Sequence, residues 1–143
     1  MKLSTLGSVR VYSAGGDAAL ALLRLIVGLA FMHHGWSKIH HPFTWMGANA
    51  FAPAPFQALA AVSEYLGGAA LILGLATPLA AFGIACTMTV AFFTHAIKRG
   101  DPFVSSGGGP SFELALVYFT IAVAILSLGP GRFSLDRKFF GER

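Results

Sequence analysis

The segment Ala18–Lys38, AALALLRLIVGLAFMHHGWSK, decides the fold of this chain. About 20 mostly apolar residues are enough for a helix to cross the roughly 30 Å hydrocarbon core of a bilayer. A charge at membrane depth costs ~2.5–3.5 kcal/mol on insertion scales, so Arg24 is expected to face protein or water. At about 100° per residue, one stripe of the helix carries Arg24, Gly28, Phe31, Gly35 and Lys38. The sequence therefore predicts a membrane-spanning helix with one inward-facing side.

The composition of the whole chain also indicates an integral membrane protein. Of 143 residues, 55% are hydrophobic and 11% are charged, whereas a typical soluble domain has about 25% charged residues. The mean hydropathy is +0.69. The formal net charge of +4 is attributed to basic ends at a membrane surface, so no nucleic-acid partner is expected. The single Cys86 excludes an intrachain dithiol centre, and its apolar neighbours favour a small buried hydrophobe.

Three further apolar segments follow the first, and proline and glycine residues separate them. The predicted spans are residues 18–38, 56–76, 79–97 and 112–128. Residues 1–16 are interpreted as a lead-in, with Asp17 as the N-cap of the first helix. Residues 132–143 form a charged tail. Because short links favour antiparallel neighbours, the predicted fold class is all-α, an integral membrane four-helix antiparallel bundle over residues 17–131.

Two stretches outside the first span carry information about packing. The loop from Pro42 to Phe56 contains several aromatic side chains, so it is expected to lie against the membrane surface or to fold over the helix ends. The second span contains the run Gly67-Gly68-Ala69-Ala70. Small residues let helices approach closely in a membrane, which indicates tight packing and is compatible with a homodimer.

The basic residues predict the orientation of the chain. An even number of spans places both ends on one side of the membrane. Six basic residues lie on that side, Lys2, Arg10, Arg132, Arg137, Lys138 and Arg143, and three on the other, Lys38, Lys98 and Arg99. The positive-inside tendency therefore predicts that both termini are cytoplasmic.

Titratable residues from all four spans are predicted to meet in the outer half of the bundle. At ~1.5 Å per helical residue, Glu64 lies about 12 Å below the outer edge, and Arg24 is deep enough to reach toward it. An intramembrane carboxylate often marks a site or pathway, although these groups could also only stabilise the bundle or lie at headgroup level. No His-x-x-x-His or Glu-x-x-His spacing supports a metal site. The converging residues are His34, Lys38, Glu64, His95 and Glu113.

Many of these residues belong to one longer pattern. It comprises Leu23-Arg24-Leu25, Gly28, Phe31, His34-Gly35, Lys38, Glu64, Gly74-Leu75-Ala76-Thr77, Glu113 and Gly129-Pro130-Gly131-Arg132-Phe133-Ser134-Leu135-Asp136. The pattern resembles the DoxX family of small bacterial membrane proteins over nearly the whole chain. The resemblance implies a four-helix bundle in the bacterial inner membrane and an association with thiosulfate:quinone oxidoreductase and oxidative-stress systems. The family's polar positions correspond here to Arg24, His34, Lys38, Glu64 and Glu113.

Three functions are compatible with this sequence. The first is a redox-associated component that binds a quinone or a similar small molecule between the helices. In it, Glu64 and His34 are the predicted catalytic residues that exchange protons, and the predicted binding residues are Arg24, Lys38, His95 and Glu113. The second is a non-enzymatic scaffold that anchors a soluble redox partner through residues 132–143 or the 42–56 loop. The third, a small-solute or proton transporter, is disfavoured because the cytoplasmic half offers hardly any polar residue besides Arg24.

Overall fold

The computed structural model describes residues 9–141, and over that range the chain is built from helices. The five α-helices there are α1 Ala14–His40, α2 Ala54–Leu73, α3 Thr77–Phe93, α4 Glu113–Leu128 and α5 Leu135–Phe140. A π-helical turn, Thr94–Arg99, extends α3. Residues 1–8 of the predicted lead-in and residues 142–143 of the predicted tail lie outside this range. The all-α class is confirmed.

Three of these helices are long and apolar enough to cross a membrane: α1, α2, and α3 together with its π-helical turn. Their outer faces keep large apolar side chains exposed, among them Leu22 at 59% and Leu79 at 72%, as expected for surfaces that lipid covers. α4 is apolar but has 16 residues, about 24 Å at 1.5 Å per residue, which is shorter than the hydrocarbon core. The chain is therefore a membrane protein with three span-length helices, and a fourth crossing by α4 stays a prediction.

α1 begins at Ala14, earlier than the sequence indicates. Ser13 caps it, because its side-chain oxygen accepts a hydrogen bond from the Gly16 N–H at 3.2 Å. The prediction that Asp17 is the N-cap is wrong. Asp17 lies buried in the first turn, and its carboxylate accepts from the backbone N–H of Tyr12 at 3.2 Å and of Arg132 at 2.9 Å. It thus joins the start of α1 to the segment after α4.

Glycines bring α1 and α2 into backbone contact. A methyl group added at Gly28 would lie 2.6 Å from the Gly68 carbonyl oxygen, and one at Gly35 would lie 2.6 Å from the Tyr65 nitrogen. Neither position has room for a side chain, which is the packing expected of small residues in membrane helices. Arg24 and Phe31, on the same stripe of α1, are also buried. The predicted inward-facing side of α1 is confirmed.

The remaining helices pack in chain order. α2 packs against α3 and α3 against α4, whereas α1 and α4 touch only slightly. The two described ends of the chain meet, because the Val9 N–H donates to the Gly141 carbonyl at 2.9 Å. The Tyr12 hydroxyl also donates to the Leu128 carbonyl at 2.7 Å. We call this the terminal end of the molecule. The opposite end, where the 41–53 loop meets the π-helical turn, is the loop end.

Candidate functional site

A cavity of about 650 Å³ lies between α2 and α3 at the loop end. Its volume falls within the roughly 300–1,000 Å³ that is usual for small-molecule sites. The walls are mostly apolar and come from α2, α3 and the 41–53 loop. Apolar side chains that line the cavity include Trp45, Phe51, Phe56, Leu59, Ala60, Phe82, Val90 and Ala91.

The polar end of the cavity is an ion pair between α1 and α2. The Lys38 Nζ lies 2.6 Å from both carboxylate oxygens of Glu64. The Glu64 side chain is 3% exposed and that of Lys38 is 23% exposed. Gly35, one turn before Lys38, permits the pair, because its lack of a side chain lets α1 approach the backbone at Tyr65. The pair compensates two charges that would each be costly alone at this depth. Lys38 and Glu64 were expected in the same half of the bundle, and the structure joins them directly.

The 41–53 loop folds over this ion pair. The Lys38 Nζ lies 4.6 Å from the centroid of the Trp45 ring, within reach of a cation–π contact. The Trp45 indole N–H donates to the Gln57 carbonyl at 2.9 Å. Of the two placements expected for this loop, against the membrane surface or over the helix ends, the contacts of Trp45 show the second.

Gln57 holds the loop in place, although it is not among the site residues predicted from the sequence. Its side chain accepts from the Met46 N–H at 3.1 Å and donates to the Ala52 carbonyl at 2.9 Å. Gln57 is only 4% exposed, and these two bonds satisfy the oxygen and the nitrogen of its buried amide. The available signal was a single glutamine just after the Pro53–Pro55 helix start, in a stretch that is otherwise apolar.

The π-helical turn brings His95 to the cavity wall. The His95 Nδ1 lies 2.7 Å from the Asp101 Oδ2, a contact that fixes the orientation of the imidazole ring. Lys98, on the same turn, lies 4.3 Å from the centroid of the Phe51 ring. Short π-helical segments occur frequently at functional sites. His95 therefore lines the same cavity as Lys38 and Glu64, whereas neither the turn nor the Asp101 contact was foreseen.

Comparison with known proteins identifies the family of the chain. The DoxX family model matches residues 19–96. The chain belongs to the DoxX family. It is similar to an uncharacterized protein of Haemophilus influenzae, at 38% identity over 125 residues, which covers 85% of this chain and 90% of that protein. It is also similar to an uncharacterized membrane protein of Mycobacterium tuberculosis, at 30% identity over 141 residues, which covers 90% of this chain and 86% of that protein. No solved structure matches the chain.

The DoxX-matched region contains Lys38, Glu64 and His95, the three predicted site residues that line the cavity. Two other predicted site residues lie elsewhere. His34 is exposed on α1, with its ring 6.3 Å from that of Tyr118 on α4. Glu113 is exposed in the first turn of α4. Neither lines the cavity, so the expectation that all four spans converge there is wrong. The catalytic role predicted for His34 and the binding role predicted for Glu113 stay predictions without support from this geometry.

Arg24 lies at the terminal end of this DoxX protein, away from the cavity. Its Nη1 donates to the Pro130 carbonyl at 2.6 Å, and its Nη2 donates to the Phe133 carbonyl. The guanidinium also lies against Gly74, ten residues from Glu64 along α2, which corresponds to about 15 Å of helix. The predicted reach of Arg24 toward Glu64 is wrong, because backbone carbonyls after α4 are nearer partners.

Cys86 also differs from its expectation as a buried hydrophobe. It is exposed and lines the cavity, because α3 turns this face toward the open space beside α2.

Over residues 9–141, no group of three or more His, Cys, Asp or Glu side chains is placed to hold a metal ion.

Proposed function

We propose that this DoxX protein is a redox-associated membrane component that binds a quinone, or a similar flat lipid-soluble molecule, between α2 and α3. The observation that carries the proposal is a mostly apolar cavity of about 650 Å³ that ends on the buried Lys38–Glu64 pair. A quinone has an apolar ring with carbonyl oxygens at its edge. The apolar walls suit the ring, and the Lys38 ammonium is a hydrogen-bond donor for a carbonyl oxygen.

The exposed rim of the cavity supports entry from the bilayer. Leu59 and Phe82, on facing helices, line the cavity and are 61% and 56% exposed. Both belong to helices of membrane-span length, so the rim faces the region that lipid would occupy. A lipid-soluble ligand would therefore enter between α2 and α3 without crossing water.

The polar groups define what the chain contributes when the ligand changes redox state. Conversion of a quinone to a quinol takes two electrons and two protons. We assign the binding of the ring to this chain, with Lys38 and His95 as the proton-bearing groups beside it and Glu64 holding Lys38 in position. The chain has a single cysteine and therefore no dithiol of its own, and the proposal assigns the supply of electrons to a separate soluble redox protein.

Cys86 provides a built-in test, because it is the single cysteine and it lines the cavity. The protein in detergent is treated with a membrane-permeant maleimide, with or without decylubiquinone. The ring of this quinone is fully substituted, so it does not itself react with the thiol. Occupancy of the cavity is expected to slow alkylation of Cys86 at least about fivefold, which corresponds to roughly 80% occupied protein.

A matched control separates binding in the cavity from general partitioning of the quinone. Cys86→Ser with Val123→Cys moves the thiol to α4, at a position 40% exposed and outside the cavity. Its alkylation rate should not change with quinone. Equal protection of both thiols, or no protection of Cys86, would contradict the proposed function.

A further inference from the structure

A second recess, of about 380 Å³, lies at the terminal end and differs in character from the cavity. Its lining residues are Arg132, Ser134, Arg137, Lys138 and Gly141. Three of these five residues are cationic, and Arg132 and Lys138 are exposed. Arg10 follows Val9, whose N–H donates to the Gly141 carbonyl, so a fourth cationic residue belongs to the same end.

Within residues 9–141, two acidic residues lie at this end, Asp17 and Asp136, and both face inward and bind backbone. Asp136 is 4% exposed and accepts from the N–H groups of Ala76 at 2.6 Å and Thr77 at 2.8 Å. Asp17 is 1% exposed and accepts from the Arg132 N–H, while the Arg132 Nε lies 3.5 Å from its Oδ2. Both carboxylates are therefore occupied below the surface, and the charged side chains that line the recess are cationic.

Buried groups fix the walls of the recess. Arg24 donates to the carbonyls of Pro130 and Phe133 on the segment that leads into α5. Ser134 caps α5 by accepting from the Arg137 N–H at 3.2 Å, and its hydroxyl donates to the Gly131 carbonyl at 2.7 Å. The recess is thus part of the folded protein, and a ligand would not have to order a loose tail before it binds.

Aromatic side chains flank the positive recess. Phe133, Phe139 and Phe140 are 56%, 65% and 60% exposed. Aromatic and basic residues side by side at the end of apolar helices are typical of the headgroup level of a bilayer. Arginine presents paired N–H donors that match phosphate oxygens, and lysine adds a compact charge.

We propose that this recess binds the phosphate of an anionic phospholipid headgroup, with the three phenylalanines entering the acyl-chain region beside it. The site is separate from the cavity and does not depend on the quinone proposal. A zwitterionic lipid presents the same phosphate with a cationic group attached, which the three cationic residues that line the recess would repel. The site is therefore expected to select lipids by net charge.

The test uses the full-length protein in detergent, titrated with phosphatidylglycerol or with phosphatidylcholine of the same acyl chains, and native mass spectrometry counts bound lipid. The wild type is expected to retain phosphatidylglycerol about tenfold better than phosphatidylcholine. Arg132→Gln with Lys138→Gln should reduce that preference about fivefold or more. Lys138→Gln alone, which leaves the contact of Arg132 with Asp17 intact, should reduce it about threefold.

The matched control removes two charges from the loop end, Lys98→Gln with Arg99→Gln, and should keep the preference. An equal loss in both double variants would mean general charge attraction and would overturn the proposal. So would equal retention of the two lipids by the wild type. Inorganic phosphate at 20 mM should leave phosphatidylglycerol bound. Displacement by phosphate would assign the recess to a soluble phosphate and would overturn the proposal.

Discussion

At the residue scale, Lys38 and Glu64 form the contact on which the candidate site depends. The Glu64 carboxylate is 3% exposed, and both of its oxygens lie 2.6 Å from the Lys38 Nζ. Removal of one partner leaves the other charge buried without compensation, whereas removal of both leaves two neutral groups. The pair therefore makes a prediction about stability that does not depend on the identity of any ligand.

We expect Glu64→Gln to lower the free energy of unfolding by about 3 kcal/mol, because the Lys38 ammonium would remain half-buried without its counter-ion. Lys38→Met with Glu64→Gln should recover part of that loss. The measurement is thermal unfolding in detergent of Glu64→Gln, of Lys38→Met and of the double variant. Together they give the coupling energy of the pair.

Glu113→Gln is the matched control for this prediction, since Glu113 is exposed on α4. Its melting temperature should stay close to that of the wild type. Additive losses in the Lys38/Glu64 double variant would mean that the two side chains are not coupled, and the geometry of the site would then be wrong.

At the element scale, the α1–α2 interface holds the site together. Gly28 and Gly35 allow backbone contact between the helices, and Lys38 reaches Glu64 only because α1 lies this close to α2. We expect Gly28→Ala to lower the free energy of unfolding by about 1–3 kcal/mol, because the added methyl would overlap the Gly68 carbonyl and Ile72 and force the helices apart.

Gly15→Ala tests the same substitution in the same helix at a position where a methyl group would meet nothing within 4 Å. It should be neutral or stabilise by up to ~1 kcal/mol, because alanine is the better helix former. Thermal unfolding in detergent measures both variants. If Gly28→Ala had the same melting temperature as Gly15→Ala, the close approach of α1 and α2 would be disproved.

At the scale of the whole molecule, the meeting of the chain ends constrains the topology. Val9 and Gly141 are joined by a backbone hydrogen bond, so the first and last described residues lie at one end of the molecule, as an even number of crossings requires. We expect a green fluorescent protein fused after the last residue to fluoresce and an alkaline phosphatase fused there to be inactive. This follows if α4 crosses the membrane and the basic terminal end is cytoplasmic.

A phosphatase inserted in the Gly107–Gly109 loop is the control for this topology and should be active. A dark fluorescent fusion together with an active phosphatase after the last residue would mean that the terminal end lies outside. Equal phosphatase activity at the loop and at the C-terminus would mean that α4 does not cross.

The candidate site could be predicted from the sequence only in part, and the contacts explain why. Arg24 was the partner expected for Glu64, because an unpaired charge in an apolar span is costly, and Lys38 was expected only in the same half of the bundle. In the structure, Arg24 donates instead to the carbonyl of Pro130, 106 residues away. Sequence spacing identifies charged candidates, but every residue carries a backbone carbonyl, so that partner could not be singled out.

The sequence by itself determined the membrane-spanning character of the chain, the inward stripe of α1 and the break that follows His40. These properties depend on hydropathy, on the 3.6-residue period and on proline or glycine, all of which act within a few residues. Only the tertiary structure decided that α2 and α3 leave a cavity between them, that Gln57 fastens the loop above it and that Asp136 caps α3. Those outcomes depend on how closely segments that are far apart in the sequence approach each other. Hydropathy and helical period do not encode the distance between such segments.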